Sequence, residues 1–170
     1  MAKGATRARL LAAARELLVG GEAPTAAAVA GRAGVSRLTV YHHFGSQPGL
    51  LAALAAETAR AGPYLAAGEP VERLHGLIGR ACTRWSTDPA LFRRLPVAAE
   101  AVDADRVHAL ASALAEADQL RPGCSLREAE DVIAIVTSFP AFDRLHHDGR
   151  RSAAAVAEIL QRMCSGILSA

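Results

Sequence analysis

The sequence predicts an all-α protein. Hydrophobic residues make up 51% of the 170 positions but aromatic residues only 4%, because alanine and leucine supply most of the apolar content. Both residues favour helices, and few stretches show the β-branched alternation of a strand. A chain of this length holds one compact core, or a small domain joined to a larger one.

Four helices are predicted before residue 62, over about 6–19, 25–33, 36–44 and 46–61. Thr25, Ser36 and Ser46 have the side chains preferred at a helix N-cap. Gly20 and Gly34 stop the first two helices, since glycine takes the left-handed conformation that ends a helix. We therefore expect three short helices and a longer fourth one that links two domains, 1–46 and 47–170.

Five more helices are predicted, over about 70–86, 88–95, 97–120, 125–147 and 152–168, which makes nine. Asp88-Pro89 reads as an N-cap followed by a proline at the first helical position. Pro140 falls inside the eighth helix, where it is expected to kink the helix and free a carbonyl group.

The basic residues are concentrated at the N-terminal end. Residues 1–50 carry six basic and two acidic side chains, a net +4, whereas the rest carries 13 basic and 15 acidic, a net −2. A basic domain beside a nearly neutral one suits a protein that meets phosphate with one part only. A chance surplus of arginine would give the same numbers.

The second and third helices meet at Gly34-Val35 with the spacing of a helix-turn-helix. The third helix presents a potential guanine reader, an apolar methyl-contacting group, hydroxyl donors and aromatic surface away from the core, on Arg37, Leu38, Thr39, Tyr41 and His42. That mixture suits the major groove of DNA. A plain helical hairpin has the same outline.

Residues 7–54 resemble the DNA-binding domain of the tetracycline-repressor (TetR) family. The resemblance is carried by four blocks in register, Thr25-x-x-x-Val29-Ala30, Ala33-Gly34-Val35-Ser36, Thr39-Val40-Tyr41-His42-His43-Phe44 and Gly49-Leu50-Leu51. It implies that the following residues contact DNA: Thr25 and Ser36 at phosphates, Arg37, Leu38 and Thr39 at bases, Tyr41 and His43 at the backbone, and His42 at the groove edge.

Two positions depart from the family pattern. Leu38 stands where the family usually has glycine or another small residue, which is expected to alter base preference. Gln47 replaces a usual lysine and removes one phosphate-binding charge, for which Arg7 and Arg9 could compensate. Tyr41 and His43 also have a purely structural interpretation, packing against neighbouring helices, and Arg37 that of a solvated side chain.

The last two predicted helices are apolar on more than one side. The eighth has two stripes, the first at Leu126, Ala129, Ile133, Val136 and Pro140, and the second at Val132, Ile135, Phe139 and Phe142. A helix that is apolar on two sides must be covered on two sides. We expect a homodimer whose interface is a four-helix bundle from these helices, as the resemblance also implies. A single thick core is the alternative.

A small-molecule pocket is expected among the middle helices, because pockets are mostly apolar with a few polar groups. The candidate lining residues are Cys82, Trp85, Phe92, His108, Phe139 and Phe142. Taken singly, each is as well explained as a packing residue. Adjacent histidines on a helix point about 100° apart and chelate one ion poorly, so neither a metal ion nor a cofactor is predicted.

No sequence motif of an enzyme is present, neither a phosphate-binding glycine loop, a nucleophile elbow nor HExxH. The three cysteines lack metal-binding or disulfide spacing and suit packing roles in a reducing compartment. No run reaches the about 18 apolar residues of a membrane span, and no signal segment is recognised, so we expect a cytoplasmic protein.

Together these observations predict a dimeric transcription regulator. It binds a partly palindromic operator in double-stranded DNA, represses transcription, and releases the operator when a small-molecule effector fills the C-terminal domain. A helical dimeric adaptor and a metal-sensing regulator are the alternatives.

Overall fold

The computed structural model describes residues 2–60, 67–95 and 103–169. These residues form ten α-helices: α1 (Ala2–Gly20), α2 (Ala26–Ala33), α3 (Arg37–Phe44), α4 (Gln47–Arg60), α5 (Pro70–Thr87), α6 (Pro89–Arg94), α7 (Ala104–Glu116), α8 (Leu126–Val136), α9 (Phe139–Asp143) and α10 (Ala153–Met163). A π-helical turn follows α9 and a 3₁₀ turn follows α10. The predicted all-α fold class is confirmed.

The chain divides into two compact units. The first comprises Met1–Ala61 and Ala90–Ala98, and the second Gly62–Pro89 and Ala99–Ala170. The predicted boundary followed residue 46, whereas here α4 and most of α6 group with α1–α3. The chain therefore crosses between the units three times.

The core of the first unit is built by apolar residues at helical spacing. Its buried members are Leu10, Leu11, Ala13, Ala14, Leu17, Leu18, Ala26, Val29, Ala30, Ala33, Val40, Leu50, Leu54, Ala55, Leu91 and Leu95. Phe44 of α3 and Leu51 of α4, also predicted to face inward, pack against this core and are only partly buried. Leu91 and Leu95 come from α6 and its end, so this short helix completes the core of the N-terminal unit.

The turn between α2 and α3 has the predicted caps. Thr25 Oγ1 accepts a hydrogen bond from the Ala28 N–H at 3.1 Å, and Ser36 Oγ accepts one from the Thr39 N–H at 3.1 Å. Gly34 is left-handed, with φ at 64°, and ends α2. Because each cap satisfies backbone groups that a helix end leaves unpaired, the two helices begin and end at fixed residues.

The second unit is built on α5, which packs along α10, while α7 packs along α8. Its buried side chains include Leu74, Leu77, Ile78, Ala81, Cys82 and Trp85 of α5, Val107, Leu110, Ala111 and Leu114 of α7, Ala129, Ile133 and Val136 of α8, and Val156, Ala157 and Leu160 of α10. No helix in the described ranges is long and apolar enough to cross a membrane.

The prediction of a single helix over about 125–147 is wrong, because the helix ends at Val136. Thr137 Oγ1 donates to the Ile133 carbonyl at 2.6 Å, and Ser138 becomes the N-cap of α9. Pro140 is then the second residue of a new helix, where no intrahelical N–H bond is required. The proline therefore starts a helix instead of kinking one.

The seventh and last predicted helices are also too long at their C-terminal ends. α7 stops at Glu116 rather than near residue 120, and α10 at Met163 rather than near 168. The reason is an antiparallel bridge between Leu120 and Leu168. Its flanking bonds run from the Arg121 N–H to the Ile167 carbonyl and from the Ser169 N–H to the Gln119 carbonyl, both at 2.9 Å. The predicted start near residue 97 lies outside the described residues.

The three cysteines carry free thiols, and Cys82 and Cys164 are buried. Burial raises the pKa of each of these two thiols to about 11, so both stay protonated at neutral pH. This agrees with packing roles rather than with a reactive thiolate.

Gly34 and Gly31 give a direct test of the turn. Gly34→Ala should lower the free energy of unfolding by about 1–2 kcal/mol, because an added Cβ is disfavoured at a left-handed φ although it meets no atom within 4 Å. Gly31, exposed within α2, has equal space and an ordinary helical conformation, so Gly31→Ala should stabilise by about 0.5–1 kcal/mol. Denaturant unfolding measures both, and shifts of the same sign would contradict the turn geometry.

Candidate nucleic-acid interface

Helix α3 is held by one side and leaves the other side open. Val40 is 2% exposed, and Phe44 is half-buried against the core of the first unit. Arg37, Leu38 and His42 are exposed. The side chains predicted to read bases therefore lie on the solvent face, apart from Thr39, which is half-buried.

The N-termini of α2 and α3 are both available to anions. Thr25 and Ser36 are exposed, and each directs its hydroxyl at the first turn of its own helix. Ser36 Oγ also shares a hydrogen bond with Thr39 Oγ1 at 2.9 Å. Backbone N–H groups and the helix dipole make such a terminus favourable for phosphate.

The remaining predicted contact residues flank this face. Tyr41 is 47% exposed, while His43 is half-buried with its ring centroid 6.0 Å from that of Phe44. Gln47 is half-buried and is the first residue of α4. The ring contact of His43 is thus with the adjacent residue of its own helix, and packing against a neighbouring helix stays a prediction.

Two arginines of the first unit make contacts that no sequence motif indicated. The Arg7 guanidinium lies 5.5 Å from the centre of the Phe44 ring, a cation–π contact that ties the start of α1 to the end of α3. Arg32 lies 3.6 Å from Glu16 and 3.5 Å from Glu22, so two carboxylates compensate its charge. Sequence spacing cannot show these contacts, because each joins α2 or α3 to a residue of α1 or of the loop that follows α1.

The helices around this turn match a known family. Residues 10–54 match the model of the tetR family of bacterial regulatory proteins, from α1 through the turn to α4. Residues 10–54 are a tetR-family DNA-binding domain. The proteins that this family model describes are bacterial regulatory proteins.

Several solved structures share the fold over nearly the whole chain. A protein studied for the control of antibiotic production by bacterial hormones is 22% identical, with a TM-score of 0.71 over 96% of this chain and 98% of its own. A TetR-like transcriptional regulator from Rhodococcus sp. RHA1 is 18% identical, with a TM-score of 0.63 over 93% and 92%. The ketosteroid transcriptional regulator KstR2 of Mycobacterium tuberculosis is 18% identical, with 0.61 over 96% and 95%. At these identities the likeness shows the fold, and none of the curated proteins matches the sequence.

Three of the predicted pocket residues come together in the second unit. The ring centroid of Trp85 lies 6.0 Å from that of Phe139 and 5.4 Å from that of Phe142, and the two phenylalanine centroids are 6.1 Å apart. All three side chains are buried, as is Cys82 on the helix of Trp85. They form a packed aromatic cluster.

The other two predicted pocket residues lie elsewhere. Phe92 is buried and belongs to the first unit. The side chain of His108 is 62% exposed, with Nδ1 2.5 Å from Glu130 Oε1. Two open grooves of the second unit run between α5 and α10 past His75, Glu158 and Gln161, and neither is lined by any of the six predicted residues.

Two substitutions of Ser36 distinguish its role as a helix cap from a role in contacting phosphate. Ser36→Ala should lower the free energy of unfolding by about 1 kcal/mol, because the Thr39 N–H loses its acceptor. Ser36→Asp should restore that stability, since aspartate caps equally well, but its negative charge should weaken binding to any duplex. Chemical unfolding and duplex titration measure the two effects. Unchanged duplex affinity in Ser36→Asp would show that this helix end does not face phosphate.

Proposed function

We propose that this tetR-family regulator is a homodimeric repressor that binds a partly palindromic operator and releases it when a small molecule binds the second unit. The observation that supports DNA binding best is the open face of α3. Its inner side is fixed by Val40, its N-terminus is capped by Ser36, and its outer side carries Arg37 and Leu38 in solvent.

A helix presented in this way fits the major groove of DNA. The groove admits one α-helix, and the first turns of a recognition helix contact the base edges. In this arrangement Arg37 would reach guanine, while Thr25 and Ser36 at the two helix starts would meet phosphates on either side. Selection of bound duplexes from a random DNA pool tests the proposal, and recovery of no enriched sequence would contradict it.

Homodimerisation is supported by apolar residues that the second unit leaves uncovered. Ile135 on α8 is 56% exposed and Met163 on α10 is 52% exposed, and these helices pack on one another. Val132 and Ile159, on the same sides of the two helices, are half-buried. Exposed apolar residues grouped on neighbouring helices are typical of an interface between subunits. Two helices from each chain would then form a four-helix bundle.

Release of the operator is proposed to start at the aromatic cluster. A small, partly apolar molecule that enters beside Trp85, Phe139 and Phe142 must separate rings that are now in contact. A ligand shifts a conformational equilibrium only when it binds the two states differently, and an opened cluster gives that difference. The change can pass along the chain into the first unit through α4 and through α6, whose Leu91 and Leu95 lie in the core of that unit.

Arg37 tests base reading. Arg37→Ala should cost about 1–3 kcal/mol on the selected operator and relax the preference at one base pair in each half-site. The matched control is Arg15→Ala, which removes the same charge from an exposed position of α1 and should leave the base preference intact. An equal loss on all sequences in Arg37→Ala would mean that this arginine touches phosphate only.

Met163 tests the dimer. Met163→Glu should convert the protein to folded monomers at micromolar concentration, because the interface would bury an unpaired carboxylate. Val19→Glu places the same charge on an exposed apolar site of the first unit and should remain dimeric. Sedimentation analysis distinguishes the two. A wild-type chain that is folded and monomeric at this concentration would refute the dimer.

Trp85 reports on the effector site, since it is the only tryptophan of the chain. A compound that raises the melting temperature should also shift or quench Trp85 fluorescence, because it disturbs the rings around the indole. The same compound should lower the affinity of the protein for the operator by a certain factor, and the operator should lower the affinity for the compound by the same factor. A stabilising compound that leaves both the fluorescence and operator affinity unchanged is not the effector.

A further inference from the structure

Helix α3 carries two large apolar side chains that are exposed to solvent. The large apolar side chains exposed among the described residues are Val19, Leu38, Tyr41, Leu126, Ile135 and Met163. Leu38 is the most exposed of them at 62%, and Tyr41, at 47%, lies three residues further along the same eight-residue helix. Residues three apart are neighbours on a helix surface, so the two form one apolar ridge.

The ridge does not hold α3 in place. The helix is attached through Val40 and the half-buried Phe44, and the Ser36 cap fixes its start. Leu38 therefore leaves apolar surface in water without contributing to this attachment. Its exposure indicates that the surface of another molecule covers Leu38 when the protein functions.

The neighbours of the ridge indicate which surface that is. Arg37 and His42 are exposed on either side of Leu38 in the sequence of the helix, and the capped N-terminus of α3 lies one residue before Arg37. Cationic and polar groups surrounding the ridge suit DNA better than an apolar protein partner. In the major groove, the apolar group on a base edge is the C5-methyl of thymine.

We infer that Leu38, with Tyr41 beside it, contacts a thymine methyl group in each half-site of the operator and makes this protein select thymine there. This inference rests on the proposed DNA-binding function and adds the base that one residue selects. Leu38 is the second residue of α3, in the first turn, where a recognition helix contacts the base edges.

The experiment removes the methyl group and nothing else. Each thymine of the operator selected from the random pool is replaced singly by deoxyuridine, which keeps every hydrogen-bonding group of the base pair. At the contacted thymine the wild-type protein should bind about fourfold more weakly per half-site, the effect of exposing one methyl-sized group. Leu38→Ala should bind the thymine and deoxyuridine duplexes equally.

Two controls keep the test specific. Val19→Ala truncates another exposed apolar side chain of the same unit and should keep the full deoxyuridine effect. Unfolding of Leu38→Ala should match wild type, because the side chain is mostly in solvent. If the random pool yields no bound duplex, the proposed function fails. If an operator is found but no deoxyuridine replacement weakens binding, or the weakening persists in Leu38→Ala, the inference is overturned while the function stands.

Discussion

The attachment of α3 through one face is the constraint on which the rest of the structure depends. An isolated helix of eight residues is unstable in water, so α3 exists only because it packs and is capped. Val40 fixes its inner side, the Ser36 hydroxyl fixes its first turn, and left-handed Gly34 sets where the preceding helix ends. Since these contacts all lie on one side or at the end of the helix, the opposite face is free to meet another molecule.

Much of this unit could be predicted from the sequence, because its signals are local. N-cap side chains, a glycine at the turn and apolar residues four apart are readable from neighbouring positions, and the structure has α2 and α3 at the expected residues. The contribution of Leu91 and Leu95 could not be predicted. A short helix that begins at a proline carries no mark of the core that it completes, and its partners lie far earlier in the chain, in α1 to α4.

Less of the second unit could be predicted from the sequence. Its helices were expected in approximate place, but Thr137 and Ser138 divide one of them into two, and the bridge between Leu120 and Leu168 shortens two others. Such endings depend on contacts between distant segments, which periodicity does not record. The same limit applies to the pocket residues: Trp85, Phe139 and Phe142 do meet, whereas His108 turns to Glu130 on the surface.

The two units thus bear on function in different ways. The first contains the residues that match the tetR family and exposes one side of α3, while the second has exposed apolar residues on α8 and α10 and a buried aromatic cluster. Dimerisation would set the spacing of two α3 helices, and an effector would change that spacing.

The most direct test of the central claim is methylation of guanine N7 in the operator with and without the protein, because N7 is accessible only from the major groove. If α3 enters that groove in a symmetric dimer, protected guanines should fall in two patches about 10 base pairs apart. Bound DNA whose guanines react as they do in free DNA would contradict the claim that α3 reads the major groove.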